Sequence, residues 1–469
     1  MSGGTRLPAT RELAGQLGLN RTTISAAYAL LESEGLITGH VGRGSFVAAK
    51  ITKRTQLDWR ALLDPPAPAS PAAAFLPASS ATRLASFASS RPSELLFPLE
   101  EFRATCAEVI ASAEAQSILQ LGSPAGYPPL RRYLLDLAKA EGVARDSDDI
   151  LITSGCQQAF DLIQRILVRS DGAGNAGTVL VEDPVYLGVK HVFERSGARL
   201  IGVPMTANGI DLEALARTIE HERPRLVAVT SNFQNPTGAT LPLAARKELL
   251  RISQAAGVVV VENDTYGPLA YQGEPIPPIK RWDESGDTIL LRSFSKVAFP
   301  GLRVGWIIAP RPLIEKLTEL KKWTDLHSDQ LSQAIVLRFA ESGRLEQHRQ
   351  RMLAAGRERL HAVLEACEKY LPAEAKFTRP RGGMNLWIRL PEPLDAAELL
   401  ARAEREGVTY LAGKHFAVSR PETNSLRISF AEMAPDQIWS GMAVLGRIFR
   451  DELERVRARS APADAPALV

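Results

Sequence analysis

The sequence predicts an α/β protein in two parts: a small N-terminal winged helix-turn-helix, and a larger body built on a mostly parallel sheet with a smaller α+β part at its C-terminal end. Two observations carry this. Across residues 7–47, two helical periods flank a glycine-containing turn, and a glycine-rich alternating stretch follows. Farther on, short apolar runs at 178–181, 226–230, 258–261 and 289–291 alternate with helical stretches. Strands that are continuously apolar and separated by helices imply a sheet covered on both faces. Ligands in such sheets sit beyond the carboxyl ends of the strands.

Length and composition agree. A chain of 469 residues exceeds one ordinary domain, and 45% apolar with 23% charged residues is typical of soluble globular proteins. No apolar run approaches the roughly 20 residues of a membrane helix, and no apolar signal region follows Met1. Cys106, Cys156 and Cys367 are too scattered for a metal site or a disulfide framework, so no metal and a cytoplasmic location are expected. Residues 1–60 carry eight basic against four acidic side chains, a net +4 in a chain of +3 overall. A basic head on a near-neutral body suits a polyanion partner.

In the head, Thr10 is the expected cap of a first helix through Leu13, Ala14 and Leu17. Gly18 and Leu19 break it, and Asn20 can cap a second helix from Arg21 to about Glu34, with Ile24, Ala27, Tyr28 and Leu31 on its apolar face. Residues 36–47 read as a β-hairpin wing. Arg21, Thr22 and Thr23 open the second helix, where they can reach phosphates or base edges in a major groove of double-stranded DNA; Arg11 and Arg43 add contacts from the first helix and the wing.

Residues 50–90, with Asp64-Pro65-Pro66-Ala67-Pro68, read as a Pro/Ala-rich linker after a head of 1–49. The body is expected over 91–455, its large part about 110–325 and its small part about 330–455, with a disordered tail at 456–469.

The body's polar motifs follow its strands one by one. Ser293-Phe294-Ser295-Lys296 ends an apolar run, and Arg303 lies seven residues on. Lysine supplies an amine for a Schiff base with an aldehyde cofactor, and the hydroxyls and guanidinium of Ser293, Ser295 and Arg303 suit a phosphate. Pyridoxal 5'-phosphate is such a cofactor. Ser154-Gly155-Cys156-Gln157 turns from a strand into a helix and can present backbone N–H groups to the phosphate, although a plain helix cap reads the same way. Tyr186 offers an aromatic face to a pyridine ring, or simply packs. Asn235, in Asn235-Pro236-Thr237-Gly238, can donate to the phenolic oxygen, though that motif is also good turn chemistry. In Asn263-Asp264-Thr265-Tyr266 an acid can pair with the ring nitrogen, while Tyr266 joins Asn235 at the phenolic oxygen.

With these residues in place, the head resembles the GntR family of winged-helix regulators across residues 7–47, through Leu7-Pro8, Arg11-Glu12-Leu13-Ala14, Arg21-Thr22-Thr23 and Gly42-Arg43-Gly44-Ser45-Phe46-Val47. That family has a full helix ahead of the Leu-Pro, where this chain has six residues. The resemblance therefore implies a start codon assigned too late or a head lacking that helix. The ordered motifs of the body resemble the fold-type I, class I/II aminotransferases over roughly 95–450. That resemblance implies Lys296 as the catalytic lysine, Ser154, Gly155, Cys156, Gln157, Ser293, Ser295 and Arg303 around the phosphate, Tyr186 on the ring, and Asn235 and Tyr266 at the phenolic oxygen. It also implies Arg427 as the grip on a substrate carboxylate.

Two positions depart from the family. The ring-nitrogen acid is expected three residues before Tyr266, where Asn263 stands, with Asp264 one step late; either Asp264 serves or the electron sink is weak. Leu121 stands where the family has a tyrosine that reaches the neighbouring subunit's cofactor phosphate. Together, head, linker and body resemble the MocR/GabR regulators. This implies a pyridoxal phosphate-dependent transcription factor, working as a head-to-tail homodimer, that senses an amino acid or amine through an aldimine at Lys296. The alternative is an aminotransferase with a vestigial head.

Overall fold

The expected strand at 178–181 spans Thr178–Asp183, and those at 226, 258 and 289 span Leu226–Val229, Val259–Asn263 and Thr288–Ser293. These assignments come from a computed structural model that describes residues 3–40, 43–48, 59, 84–168 and 177–460. Head and body form separate compact units.

In the head, α1 (Thr10–Leu17) is followed by Gly18, whose φ of +66° needs glycine's freedom, and by α2 (Arg21–Ser33). Asn20 caps α2 as expected, its side chain accepting from Thr22 N at 3.0 Å. Thr10 does not cap α1: the capping position is Ala9, and Thr10 is the first helical residue. The wing pairs β1 (Ile37–His40) with β2 (Gly44–Val47), antiparallel. Gly4 N and Leu7 N donate to Val47 O and Ser45 O, so the leading residues extend the wing as an edge strand. The Tyr28 hydroxyl donates to Pro8 O at 2.8 Å and ties α2 to the Leu-Pro step.

The body opens earlier than expected. The described end of the segment assigned to the linker, residues 84–90, belongs to it: β3 (Ala85–Ser86) pairs with β14 (Val408–Thr409), and Phe87 is fully buried. Serine and alanine there look like tether composition, but the partners are more than 300 residues away in sequence. Most of the remaining linker lies outside the described residues. The tail is also shorter, because the last helix, Pro435–Ser460, runs through 456–460; residues 461–469 lie outside the described set.

Among the described residues the large sheet has eight strands: β4 (Asp148–Thr153), β5 (Thr178–Asp183), β6 (Arg199–Thr206), β7 (Gly209–Ile210), β8 (Leu226–Val229), β9 (Val259–Asn263), β10 (Thr288–Ser293) and β11 (Gly305–Pro310). Their order is β4-β11-β10-β9-β8-β5-β6-β7, parallel through β10-β9-β8-β5-β6, with β11 antiparallel to both neighbours and β7 antiparallel at the edge. One face packs Val181, Ala228, Val261 and Leu291 against the helices Cys156–Leu167 and Leu187–Arg195. The other packs Leu180, Val227 and Val260 against Leu212–Glu222 and Leu243–Ala255. The smaller part is an antiparallel sheet of β12 (Lys376–Phe377), β13 (Asn385–Arg389), β16 (Ser425–Ser429) and β15 (Leu411–Ala412), backed by the helices Arg344–Tyr370 and Pro435–Ser460.

Candidate functional site

At the carboxyl end of β4, Ser154 and Gly155 turn the chain into the helix Cys156–Leu167. Gly155 has a φ of +82°, and a Cβ there would lie 2.4 Å from Arg303 Nη2. A Cβ at Gly305, on β11, would lie 2.8 Å from Gly155 Cα. The two glycines thus let the strand ends and the guanidinium close together around a helix N-terminus, an arrangement made for an anion. Arg303 donates to Ser154 O at 3.2 Å and reaches Ser295 Oγ at 3.4 Å. Ser293 Oγ lies 2.9 Å from Ser295 Oγ and accepts from Ser295 N at 3.0 Å. The expected phosphate residues therefore form one cradle. Ser328, which sequence reasoning missed, joins it with its hydroxyl 3.3 Å from Ser154 Oγ.

Lys296 ends the 3-10 turn Phe294–Lys296 beyond β10, its Nζ donating to Ser90 O at 2.6 Å and standing 5.5 Å from the centre of the Tyr266 ring. The Tyr266 hydroxyl lies 3.3 Å from both Asn235 Nδ2 and Ser90 Oγ. Burial alone would raise this phenol, but the Lys296 charge, the Ser90 hydrogen bond, Arg427 and Asn235 outweigh it and bring the hydroxyl below its ordinary value. The Tyr186 ring packs over Gly188, where a Cβ would lie 2.5 Å from Tyr186 Cε1 and 2.3 Å from Gln157 Oε1. Burial pushes the Tyr186 hydroxyl up to about 12, and burial likewise pushes the Cys156 thiol to about 12, so Cys156 carries a thiol rather than a thiolate.

Arg427, on β16, is buried, donates to Asn235 Oδ1 at 3.1 Å and to Ala88 O, and has no carboxylate partner among the described residues. Its Nε is buried without a hydrogen bond. Burial lowers its guanidinium to about 10, still protonated at neutral pH. A buried, incompletely satisfied cation near Tyr266 and Tyr186 is suited to a carboxylate ligand.

Asn263 and Asp264 go opposite ways. Asn263 ends β9 in phase with Val261, facing the helix that carries the cradle, and its Oδ1 accepts from Thr265 Oγ1. Asp264, expected among the cofactor residues, is committed on the other face. Its Oδ1 accepts from Asn232 Nδ2 at 2.8 Å, and its Oδ2 pairs with Arg292 Nε at 3.0 Å. Arg292 was missed, though a lone arginine in the run Ile289-Leu290-Leu291-Arg292 was its signal. Arg246, fully buried, braces the loop that holds Asn235 through Ser231 O, Asn232 Oδ1 and Leu241 O. In the head, Arg11, Arg21, Thr22, Thr23 and Arg43 are all exposed, and none of the three arginines has an ion-pair partner among the described residues.

Known proteins resemble the chain in two ways. Residues 86–445 match the aminotransferase class I and II family, and residues 1–47 match the gntR family of bacterial regulatory proteins. The 2-aminoadipate transaminase of Thermus thermophilus is 36% identical over 374 residues, covering 79% of this chain and 91% of the relative. A kynurenine aminotransferase of Pyrococcus horikoshii, solved in complex with PMP, superposes with a TM-score of 0.75 at 33% identity, over 78% of this chain and 91% of that one. The uncharacterized HTH-type transcriptional regulator YdfD of Bacillus subtilis is 31% identical over 460 residues, covering 96% of this chain and 93% of the relative.

Proposed function

The chain belongs to the aminotransferase class I and II family and carries a gntR-family head, and from that premise we propose that it is a pyridoxal phosphate-dependent, DNA-binding transcriptional regulator that senses an amino compound. The observation that carries the reading is coverage. The transaminase relative matches 79% of the chain, whereas the regulator relative matches 96%, head included.

The residues fit the cofactor. The cradle of Ser154, Gly155, Cys156, Gln157, Ser293, Ser295 and Arg303 supplies N–H, O–H and guanidinium donors to its phosphate; a side chain at Gly155 would fill it. When bound, pyridoxal phosphate supplies an aldehyde that condenses with amines and a ring that takes up electron density. Lys296 offers the amine, Tyr186 a flat face, and Asn235 with Tyr266 two donors 3.3 Å apart for the phenolic oxygen. Arg427 holds a ligand's carboxylate, exchanging Ala88 O for a charged acceptor. A ligand that favours one arrangement of the body would shift the protein's DNA affinity.

The working form in this reading is a cytoplasmic head-to-tail homodimer. Exposed Leu119, Leu121 and Leu326 flank the segment that brings Ser328 to the cradle, and a second copy would cover them.

The transaminase reading rests on the 36% identity of the body to an enzyme. One titration separates the two. Full-length protein is mixed with amino acids and vitamin B6 amines while cofactor absorbance, affinity for the DNA upstream of its own gene, and keto-acid release are followed together. Absorbance and DNA affinity should move together with little keto acid. Keto-acid release at roughly 1–10³ per second, with DNA affinity constant, would overturn the regulator.

A further inference from the structure

The two polar residues at the end of β9 divide the work the sequence left shared between them. Asp264 is unavailable to the site: its side chain is 2% exposed, both oxygens are engaged, and a Cβ at Gly267 would press within 2.4 Å of Oδ1. Turning it round would strip Arg292, itself only 17% exposed, of a buried partner. Strand alternation also places it beyond Glu262, on the face that holds Arg246 and Ile279. Asn263 points to the opposite layer. Its neighbour Thr265 lies against Cys156, and the Cys156 thiol donates to Arg292 O at 3.6 Å, on the strand that leads to Lys296.

The Asn263 amide turns its oxygen toward Thr265. Oδ1 accepts the Thr265 hydroxyl proton, and Nδ2 has no partner among the described residues. The group offered to the cofactor is therefore an N–H donor rather than an acceptor. We infer that Asn263 donates from Nδ2 to the pyridine nitrogen of the cofactor and keeps that nitrogen unprotonated. A pyridinium N–H would meet the amide hydrogens head on, whereas a pyridine lone pair accepts them, and a hydrogen bond to the neutral form disfavours the charged one. The inference rests on the pyridoxal phosphate reading and deepens it. Amine exchange at Lys296 is left unhindered, while removal of a proton next to the amine, which needs a charged ring to absorb the electron pair, is slowed. The site is thereby specialised for holding amines over transforming them.

The test uses full-length protein loaded with pyridoxal phosphate labelled with ¹⁵N in the ring. The nitrogen should resonate in the pyridine range, Asn263→Asp should move it to the pyridinium range, and Asp264→Asn should leave it in the pyridine range. A pyridinium resonance in the unaltered protein, or a nitrogen that follows Asp264 instead of Asn263, would overturn the inference while leaving cofactor binding intact. Failure of the unaltered protein to retain the cofactor at all, seen as absent visible absorbance, would remove the inference together with the reading beneath it.

Discussion

The head and the body handle their charges in opposite ways. In the head, Arg11, Arg21 and Arg43 stand exposed and unpaired among the described residues. In the body, Asp264, Arg246 and Arg427 are buried and engaged, with Arg292, five oxygens and Asn235 respectively, while half-buried Lys296 and exposed Arg303 are each tied to a backbone carbonyl, Ser90 O and Ser154 O. A DNA backbone is met at the surface, where mobile solvated cations suffice. A small ligand is held in an interior, where each charge must be fixed and satisfied. The cores differ in the same sense. Ala14, Ile24 and Ile37 are the buried apolar residues of the head's described part, and Leu17, Leu19, Leu30 and Leu36 are each more than half exposed. The body's large sheet is packed on both faces.

The largest expected effect breaks the head and spares the body. Ile24→Ala removes one of three buried side chains and costs about 2–5 kcal/mol, a large fraction of a small domain's stability. Calorimetry of the full chain should show the head's transition lost and DNA binding abolished, with cofactor absorbance unchanged; a head that still binds DNA would show that its core is not the limiting element.

Arg427→Met should do the converse. Losing a charged hydrogen-bond partner, about 1.5–3 kcal/mol, should weaken carboxylate-bearing amines about 10–100-fold, while amines lacking a carboxylate keep their affinity. Equal losses for both would place the carboxylate elsewhere. In the head, Arg21→Ala and Arg43→Ala should each lower the slope of log affinity against log salt by about one unit; unchanged slopes would remove these side chains from the interface.

A pH dependence of the body's stability is carried by Glu182, at the end of β5. It accepts from Thr230 N at 3.1 Å and Gln234 Nε2 at 3.2 Å. Burial pushes its carboxyl from 4.5 up to about 8, so the folded body holds a proton that the unfolded chain releases. The resulting stability is fully present below about 4.5 and is lost as pH rises through about 8. Glu182→Gln, neutral throughout, should flatten denaturant midpoints across that window, and an unaltered profile would point to other groups.

Much of the fold was legible. Valine-rich runs bounded by polar motifs marked the parallel strands, and Asn20 marked the start of α2, because burial on both faces and capping are written locally. Thr10 misled by one position, since an extended residue ahead of a helix caps it whether or not its side chain contributes. The site's inner ring of Lys296, Arg303, Asn235, Tyr266 and Arg427 was legible as motifs. The groups that restrain them were not: Ser90 O and Ala88 O come from a segment with linker composition, and Ser328 from a loop with no signal of its own.

The sequence by itself determined most of the side chains that the structure gathers around Lys296 and the order in which they follow the strands, because most of them stand at the end of a neighbouring apolar run. It left Asn263 and Asp264 as equals. Only the tertiary structure separated them, because adjacent residues at a strand end face opposite layers, and which layer holds the cradle depends on a helix that begins 107 residues earlier at Cys156. Arg292 and Asn232, brought in from other loops and strands, then hold Asp264 away from the site.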